Sequence, residues 1–344
     1  MTFEKIIIRM PNWIGDLVMA TPILTDIRQA FPQAHITAMS LSPICDLLRE
    51  DRDIDELFCF SKASSFGRRS ERRDIIEKLR RGQYDLGILL THSFSSAWWF
   101  WRGKVQRRLG YRGNCRGLLL TDALALPSKI HEQHLVETYK QLLQPLGIST
   151  SDTLPRLFFT DKEIEQARKL LHQLGIRPEH RLVGINPGAA YGSAKCCLPE
   201  RFRQVTEKLL RHEDIRILYF GDQTSMSLTK EICKGLPSPV VNLAGLTSLR
   251  ELGCLIKLCR ALLTNDSGPM HIAAATGTPV VALFGSTNEI VTGPYKTPMS
   301  RVIHKEVACS PCYKRVCPID FRCMKRIETD EVYEALMQIL HTHV

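Results

Sequence analysis

The sequence predicts an α/β protein made of two parallel-sheet halves. Three features carry that reading. Short β-branched runs occur without apolar–polar alternation, amphipathic helical stretches separate them, and the pattern restarts after residue 150. A chain of 344 residues is long enough for two domains of ordinary size. Its composition, 44% hydrophobic and 24% charged, excludes a disordered or collagen-like chain.

Taken in order, residues 5–8 (KIII) read as a buried strand, followed by the loop MPNWIGD. A helix then places Val18, Met19, Ile23, Leu24 and Ile27 on one face. Residues 36–39 and 86–90 give two more strands, the latter after the turn-like Gly82. In the second half, Thr160 and Glu163 form a capping box that opens a helix over 160–174. Strands follow at 182–185, 215–220, 261–264 and 280–284, with helices at 200–210, 249–258 and 272–275. An amphipathic helix over 328–340 closes the chain.

In open parallel sheets, ligands bind where strands end and helices begin. Four loops stand at such places. In NWIGDLVMATP, Gly15 permits a tight turn and Asp16 stands at or near the helix start. Asp16 is there either as an N-cap or as a general base facing a substrate hydroxyl, and local sequence favours the cap. In NPGAAYGSAK, Gly188 and Gly192 let the backbone come close to a ligand, and Lys195 suits a diphosphate. In TNDSGPMH, Asp266 and Ser267 are able to cap the next helix, whereas Gly268 and His271 add nothing to a cap and point to an anion. In FGSTNEIVTGPY, Ser286 and Thr287 offer hydroxyls; alone, this segment is any surface turn.

Lys plus Arg is 46 against 36 Asp plus Glu, and the excess is local: residues 62–116 hold 14 basic and 4 acidic residues. Such a block attracts phosphate or forms a solvated helical face. Trp98, Trp99, Phe100 and Trp101 stand beside it and read first as core, second as a contact for sugar or for a membrane interface. Eight of the twelve cysteines are scattered and are expected as reduced core or surface thiols. Cys309, Cys312, Cys317 and Cys323 cluster with the spacing C-x2-C-x4-C-x5-C. Four thiolates could hold zinc or an iron–sulfur cluster, but the paired CxxC…CxxC form is missing, so no metal is expected. Arg9 and Asp16 interrupt the N-terminal apolar run, and no stretch is long and apolar enough for a membrane span. A cytoplasmic protein is the expectation.

Taken together, GDLVMATP, PGAAYGSAK, NDSGPMHIAAATGTPVVALFGST and TGP resemble family 9 glycosyltransferases. The stretch SFSSAWWFWRGKVQRRLGYRGNCRGLLLTD and the tail CSPCYKRVCPIDFRCM extend the likeness over roughly residues 5–340. The resemblance implies a GT-B fold, two Rossmann-like domains facing a cleft. The expected divisions are an acceptor domain at 1–155, a donor domain at 156–326, and a helix at 327–344 packing back toward the first domain. It further implies inverting transfer of L-glycero-D-manno-heptose from ADP-heptose to the inner-core heptose of lipopolysaccharide or lipooligosaccharide, with no cofactor required. Asp16 matches the family's base and Lys195 its diphosphate-contacting lysine. Asp266, Ser267, Gly268 and His271 match the donor loop, with Gly188, Ser286 and Thr287 beside them. One departure stands out: the family's K-x-W-P is here Lys195-Cys196-Cys197-Leu198-Pro199.

The basic block then suits an anionic, lipid-linked acceptor, with Arg68, Arg69, Arg72, Arg107, Arg112 and Arg116 as contacts and peripheral placement at the cytoplasmic face of the inner membrane. Leu246 reads as core or as a wall of the adenine pocket. A heptosyltransferase I-like enzyme, or another family 9 glycosyltransferase with a different acceptor, is the near alternative. A basic nucleic-acid-binding protein is the distant one. No nucleic acid is expected, because no known motif and no interleaving of aromatic and basic residues occurs.

Overall fold

The computed structural model describes residues 2–61 and 68–342, and the chain divides into two units at Phe158/Phe159. The first unit carries β1 (Lys5–Arg9), β2 (His35–Leu41), β3 (Glu56–Phe60), β4 (Leu86–Leu89), β5 (Arg107–Tyr111) and β6 (Asp122–Leu124). Its helices are α1 (Ile14–Ala20), α2 (Pro22–Ala30), α3 (Arg68–Gly82), α4 (Phe94–Arg102) and α5 (Leu135–Gln141). The strands pair in parallel in the order β3-β2-β1-β4-β5-β6. Ile6, Ile7 and Ile8 are fully buried, which explains why β1 reads as an unbroken apolar run.

The second unit repeats the plan with β7 (Arg181–Asn186), β8 (Ile215–Tyr219), β9 (Val240–Asn242), β10 (Ala261–Asn265), β11 (Val280–Phe284) and β12 (Arg301–His304). Its helices are α6 (Asp161–Gln173), α7 (Pro199–Leu209), α8 (Met226–Cys233), α9 (Leu249–Leu258), α10 (Gly268–Thr276), α11 (Glu289–Thr292), α12 (Arg322–Lys325) and α13 (Thr329–Thr342). The order β12-β11-β10-β7-β8-β9 is again all parallel. The order in which strands are added therefore reverses once in each sheet, between β1 and β4 in the first and between β7 and β10 in the second. Those reversals open crevices at the carboxyl ends of the strands.

Several sequence expectations change for identifiable reasons. The single helix expected over Val18–Ile27 is two helices, because Pro22 has no N–H to continue α1 and starts α2 instead. Strands β3, β5, β6, β9 and β12 were not expected; they are short, and β5 opens with Arg107 and Arg108. The connecting segment belongs to the first unit. Ser151 and Thr153 hydroxyls donate to Asp26 (both 2.9 Å), buried Lys140 donates to the carbonyls of the same two residues (both 2.7 Å), and Arg156 pairs with Asp53. α13 buries Val332, Leu336, Ile339 and Leu340 in the core of the second unit, against α7, β10 and β11. Cys45 and Cys59 are joined by a disulfide with Cα atoms 5.9 Å apart, which corrects the expectation of eight reduced thiols.

The capping box at Thr160 is present as read, with Glu163 Oε2 accepting from Thr160 N (2.8 Å) and Thr160 Oγ1 accepting from Glu163 N (3.2 Å). Glu163 has a second task. It also receives the guanidinium of Arg250 on α9, which ties the two helices together (Nη2 to Oε2 2.7 Å). The Arg250 hydrogen bonds, followed by those from Thr160, hold the Glu163 carboxyl down at about 2 against burial. A carboxyl whose pKa is lowered on folding contributes stability above its unfolded pKa and loses it as pH falls through the folded value. Glu163→Gln is therefore expected to destabilise the second unit by about 1–2 kcal/mol at neutral pH. In urea melts, the gap to wild type should shrink between the ordinary glutamate range and pH about 2. A gap independent of pH would contradict the ion pair.

Candidate functional site

In the second unit the loop after β7 and the loop after β10 flank the crevice. Asn186 at the end of β7 donates Nδ2 to Gly188 O (2.9 Å), Ser267 Oγ (3.2 Å) and Thr264 Oγ1 (3.4 Å). Asn265 at the end of β10 donates to Pro187 O (2.6 Å) and accepts from Cys197 N (3.0 Å). The two strand-end asparagines thus lace both loops together. Gly188 leaves no room for a side chain: a Cβ there would lie 2.3 Å from Ser225 Oγ.

Lys195 comes to this crevice despite the longer Lys195–Pro199 segment. Within that segment the Cys197 side chain is buried in the core while its N–H is held by Asn265. α7 then starts with Pro199 in its first turn. Lys195 Nζ donates to Asp266 Oδ2 at 2.6 Å, and Thr287 Oγ1 donates to the same oxygen at 2.6 Å. The ammonium also lies 5.0 Å from the centre of the Tyr191 ring. Asp266 is 3% exposed, so its charge is stabilised by these two partners and not by solvent.

Neither Asp266 nor Ser267 caps α10 with its side chain. Ser267 occupies the N-cap position, yet its hydroxyl is shared with Thr264 (3.0 Å) and Asn186. With Pro269 in its first turn, α10 begins without a side-chain cap, the kind of helix start at which anions bind. His271 is buried on that first turn. Ser286 is also buried, and its hydroxyl has no hydrogen-bond partner among the described residues. The structure therefore brings Gly188, Lys195, Asp266, Ser267, Gly268, His271, Ser286 and Thr287 to one crevice.

The cysteine tail packs on these loops. Tyr191 OH donates to Tyr313 O (2.7 Å), Ala194 N donates to Arg315 O (3.0 Å), Tyr313 N donates to Ser286 O (2.7 Å) and Ser310 Oγ donates to Gly285 O (2.5 Å). Cys309, Cys312, Cys317 and Cys323 line one small cavity with Gly285, Ser286 and Arg322. Among the described residues no three His, Cys, Asp or Glu side chains are grouped to hold a metal ion. Leu246, expected in the core, is 69% exposed.

In the first unit, Asp16 lies in the first turn of α1, which follows β1 at the crevice between β1 and β4. The N-cap is Trp13, so the capping reading of Asp16 fails. Asp16 is partly exposed, and its charge adds to burial in pushing the Tyr139 hydroxyl far above its ordinary pKa. The loop before Asp16 is anchored by a residue that the sequence did not single out. Arg9 is 2% exposed, donates Nη2 to Asn12 Oδ1 (2.5 Å) and Nη1 to Met10 O, and stacks 4.7 Å from the Phe60 ring. Burial pushes its pKa down to about 9. An isolated Arg at a strand end carries no local signature of this role.

The basic block resolves into different fates. Arg116 is fully buried; it donates Nε to Tyr111 O (2.8 Å) and Nη1 to Thr91 O, and burial lowers its pKa to about 10. Arg107 stands at the amino end of β5 and is held by Asp122 through Nε (3.0 Å) and Nη2 (2.8 Å). Arg116 therefore belongs to no exposed acceptor surface, which corrects that expectation: a buried guanidinium is kept by the carbonyls that hold it. Arg107 is partly exposed and is occupied by Asp122 at the amino end of β5, away from the ligand loops at the carboxyl ends. Arg72 and Arg112 are exposed, and Arg112 lies just past the carboxyl end of β5. The side chains of Arg68 and Arg69 lie outside the described residues. In the aromatic run, Phe100 is fully buried, Trp99 packs edge-on against Phe60 (5.5 Å), and Trp101 is exposed.

Two parallel six-stranded sheets with ligand loops at their switch points make this an α/β enzyme of the GT-B kind. The model of glycosyltransferase family 9 (heptosyltransferase) matches residues 72–321. The chain belongs to that family and is a glycosyltransferase. It is 31% identical over 318 residues to lipooligosaccharide heptosyltransferase 2 of Haemophilus influenzae, covering 88% of this chain and 90% of that one. It is 27% identical over 339 residues to lipooligosaccharide heptosyltransferase 2 of Campylobacter jejuni, with 98% of each covered. Among solved structures, ADP-heptose lps heptosyltransferase II of E. coli is similar with a TM-score of 0.83 and 27% identity, covering 98% of this chain and 99% of that one.

Two expectations about stability follow from these contacts. Gly192 has φ of +153°, and a Cβ there would lie 2.3 Å from the backbone oxygen of Arg315. Gly192→Ala should cost about 1–3 kcal/mol and speed exchange of the Ala194 amide that bonds Arg315; unchanged exchange would show that the tail does not brace the loop. Arg116→Ala should cost about 2–4 kcal/mol, whereas Arg112→Ala should stay within about 0.5 kcal/mol in the same denaturant melts. Equal effects would contradict the division between buried and exposed arginines.

Proposed function

We propose that this enzyme transfers a heptose, with inversion, from ADP-heptose to the inner-core heptose of lipopolysaccharide or lipooligosaccharide. The observation that carries the donor half is the Lys195–Asp266–Thr287 arrangement beside the uncapped start of α10. A diphosphate leaving group gains negative charge as the glycosidic bond breaks, and an ammonium together with helix amides stabilises that charge without a metal. Asp266 aims Lys195, since a carboxylate set directly against phosphate would repel it. Ser267, Gly268, His271, Ser286, Thr287 and Gly188 complete the donor pocket.

Asp16 is the base in this reading. It removes the proton of the acceptor hydroxyl, whose oxygen attacks the anomeric carbon while the electron pair of the departing bond goes to the β-phosphate oxygen. Arg72 and Arg112, with Arg68 and Arg69, meet the phosphorylated acceptor. That acceptor is anchored in lipid, so the enzyme works at the cytoplasmic face of the inner membrane. Among the described residues no helix is long and apolar enough to cross a membrane, and peripheral contact is the mode proposed.

The direct test incubates the protein with a panel of nucleotide sugars and a heptose-terminated core acceptor. ADP release with a mass gain of one heptose is expected with ADP-heptose; gain from another nucleotide sugar alone would overturn the assignment. Asp16→Ala should lower turnover by roughly 10²–10⁴-fold and leave ADP affinity near wild type. Lys195→Ala should weaken ADP binding roughly 10- to 100-fold by calorimetry. Near-normal turnover in the first variant, or unchanged affinity in the second, would remove the role given to that residue.

A further inference from the structure

The cysteine tail is fixed between the two loops that deliver Lys195 and Thr287 to Asp266. On one side Tyr313 N donates to the carbonyl of Ser286 (2.7 Å), the residue before Thr287. On the other, Arg315 O accepts from the N–H of Ala194 (3.0 Å), the residue before Lys195, and Tyr313 O accepts from Tyr191 OH (2.7 Å). Gly192 admits this approach, since a Cβ there would meet the Arg315 carbonyl oxygen and Cα. Residues 313–315 therefore form a bridge whose backbone is set beside the donor crevice at both ends.

The side chains of this bridge divide. Lys314 lines the small cavity shared with the four cysteines. Arg315 places its guanidinium carbon 5.3 Å from the centre of the Tyr191 ring, the ring that also carries the Lys195 ammonium at 5.0 Å. The two distances keep these cations within about 10 Å of each other, roughly a Debye length at 0.1 M salt. Their charges are matched unequally. Asp266 is paired with Lys195, whereas Arg315 is exposed and, among the described residues, forms no ion pair with a carboxylate. Tyr191 thus gathers two cations where one buried carboxylate stands, and the positive excess lies at the rim of the crevice. A guanidinium gains more from a phosphate, which its planar fork meets with two hydrogen bonds, than from an exposed ring.

We propose that Arg315 is a donor-binding residue, the second cation of the diphosphate site: from the Tyr191 ring its guanidinium meets the β-phosphate that Lys195 also contacts. The role rests on the reading of Lys195 given under the proposed function, and it gives the tail a task in binding beside its bracing. With a nucleoside diphosphate bound, Lys195 and Arg315 together face two phosphates, and the excess charge is matched. Arg315 is held by the ring and by backbone bonds, not by a carboxylate, so it turns to phosphate without leaving an anion unpaired.

Calorimetry of the full chain with ADP and with AMP tests this for wild type, Arg315→Ala, Arg315→Lys and Lys314→Ala. Arg315→Ala keeps the carbonyl that Ala194 bonds, so amide exchange at Ala194 should stay as in wild type. Its ADP affinity should fall roughly 10-fold and its AMP affinity by less than about threefold. The salt dependence of ADP binding should flatten in the same variant. Arg315→Lys should recover part of the loss, and Lys314→Ala should bind ADP as wild type does. Unchanged ADP affinity in Arg315→Ala, equal losses for ADP and AMP, a loss that tracks faster Ala194 exchange, or an equal loss in Lys314→Ala each overturns the role. If Lys195→Ala loses ADP affinity while Arg315→Ala does not, the donor site stands without Arg315. Wild type that binds no ADP overturns the donor site and this role with it.

Discussion

A carboxylate with almost no solvent has to be matched by its neighbours, and Asp266 is matched by Lys195 and Thr287 at 2.6 Å each. That requirement organises the second unit's crevice. Lys195 has to arrive from the loop after β7, Thr287 from the loop after β11, and Asp266 from the loop after β10. The strand-end asparagines, Asn186 and Asn265, then lock two of these loops so that the lysine is delivered to one place. Because Asp266 and Ser267 are occupied elsewhere, α10 starts without a side-chain cap. The cysteine tail contributes a brace: Tyr313 and Arg315 touch the loop after β7 through their backbones.

The same economy appears in the first unit with the charges reversed. Here buried cations hold the loops at the switch point, Arg9 before Asp16 and Arg116 between the connections after β4 and β5. Both guanidiniums lose affinity for their protons through burial, yet each is surrounded by carbonyl or amide oxygens that keep it charged. The loops of this unit are consequently fixed by interior arginines, and the exposed residues of the same loops are left free for other work.

Local signals carried most of what was legible in the sequence. Unbroken apolar runs marked β1, β10 and β11, because strands covered on both faces leave no polar alternation. Gly188, Lys195 and the segment 264–271 were readable because turn chemistry and helix starts are encoded in neighbouring residues. What escaped was non-local. A charge count over residues 62–116 could not tell Arg116, sealed inside, from Arg112, open to water, since the difference is made by Thr91 and Tyr111 carbonyls brought in by the fold. Short strands such as β5 and β9 are built by pairing with neighbours and carry little pattern of their own. The partners of Asp266, and the disulfide between Cys45 and Cys59, likewise exist only once distant segments meet.

The account turns on where the diphosphate of the nucleotide rests. A crystal structure of the protein with ADP bound measures it directly. Phosphate oxygens within hydrogen-bonding distance of the first-turn amides of α10, with the Lys195 ammonium turned from Asp266 alone toward the β-phosphate, are the predicted result. A nucleotide seated away from the start of α10, with the Lys195–Asp266 pair undisturbed, would contradict it.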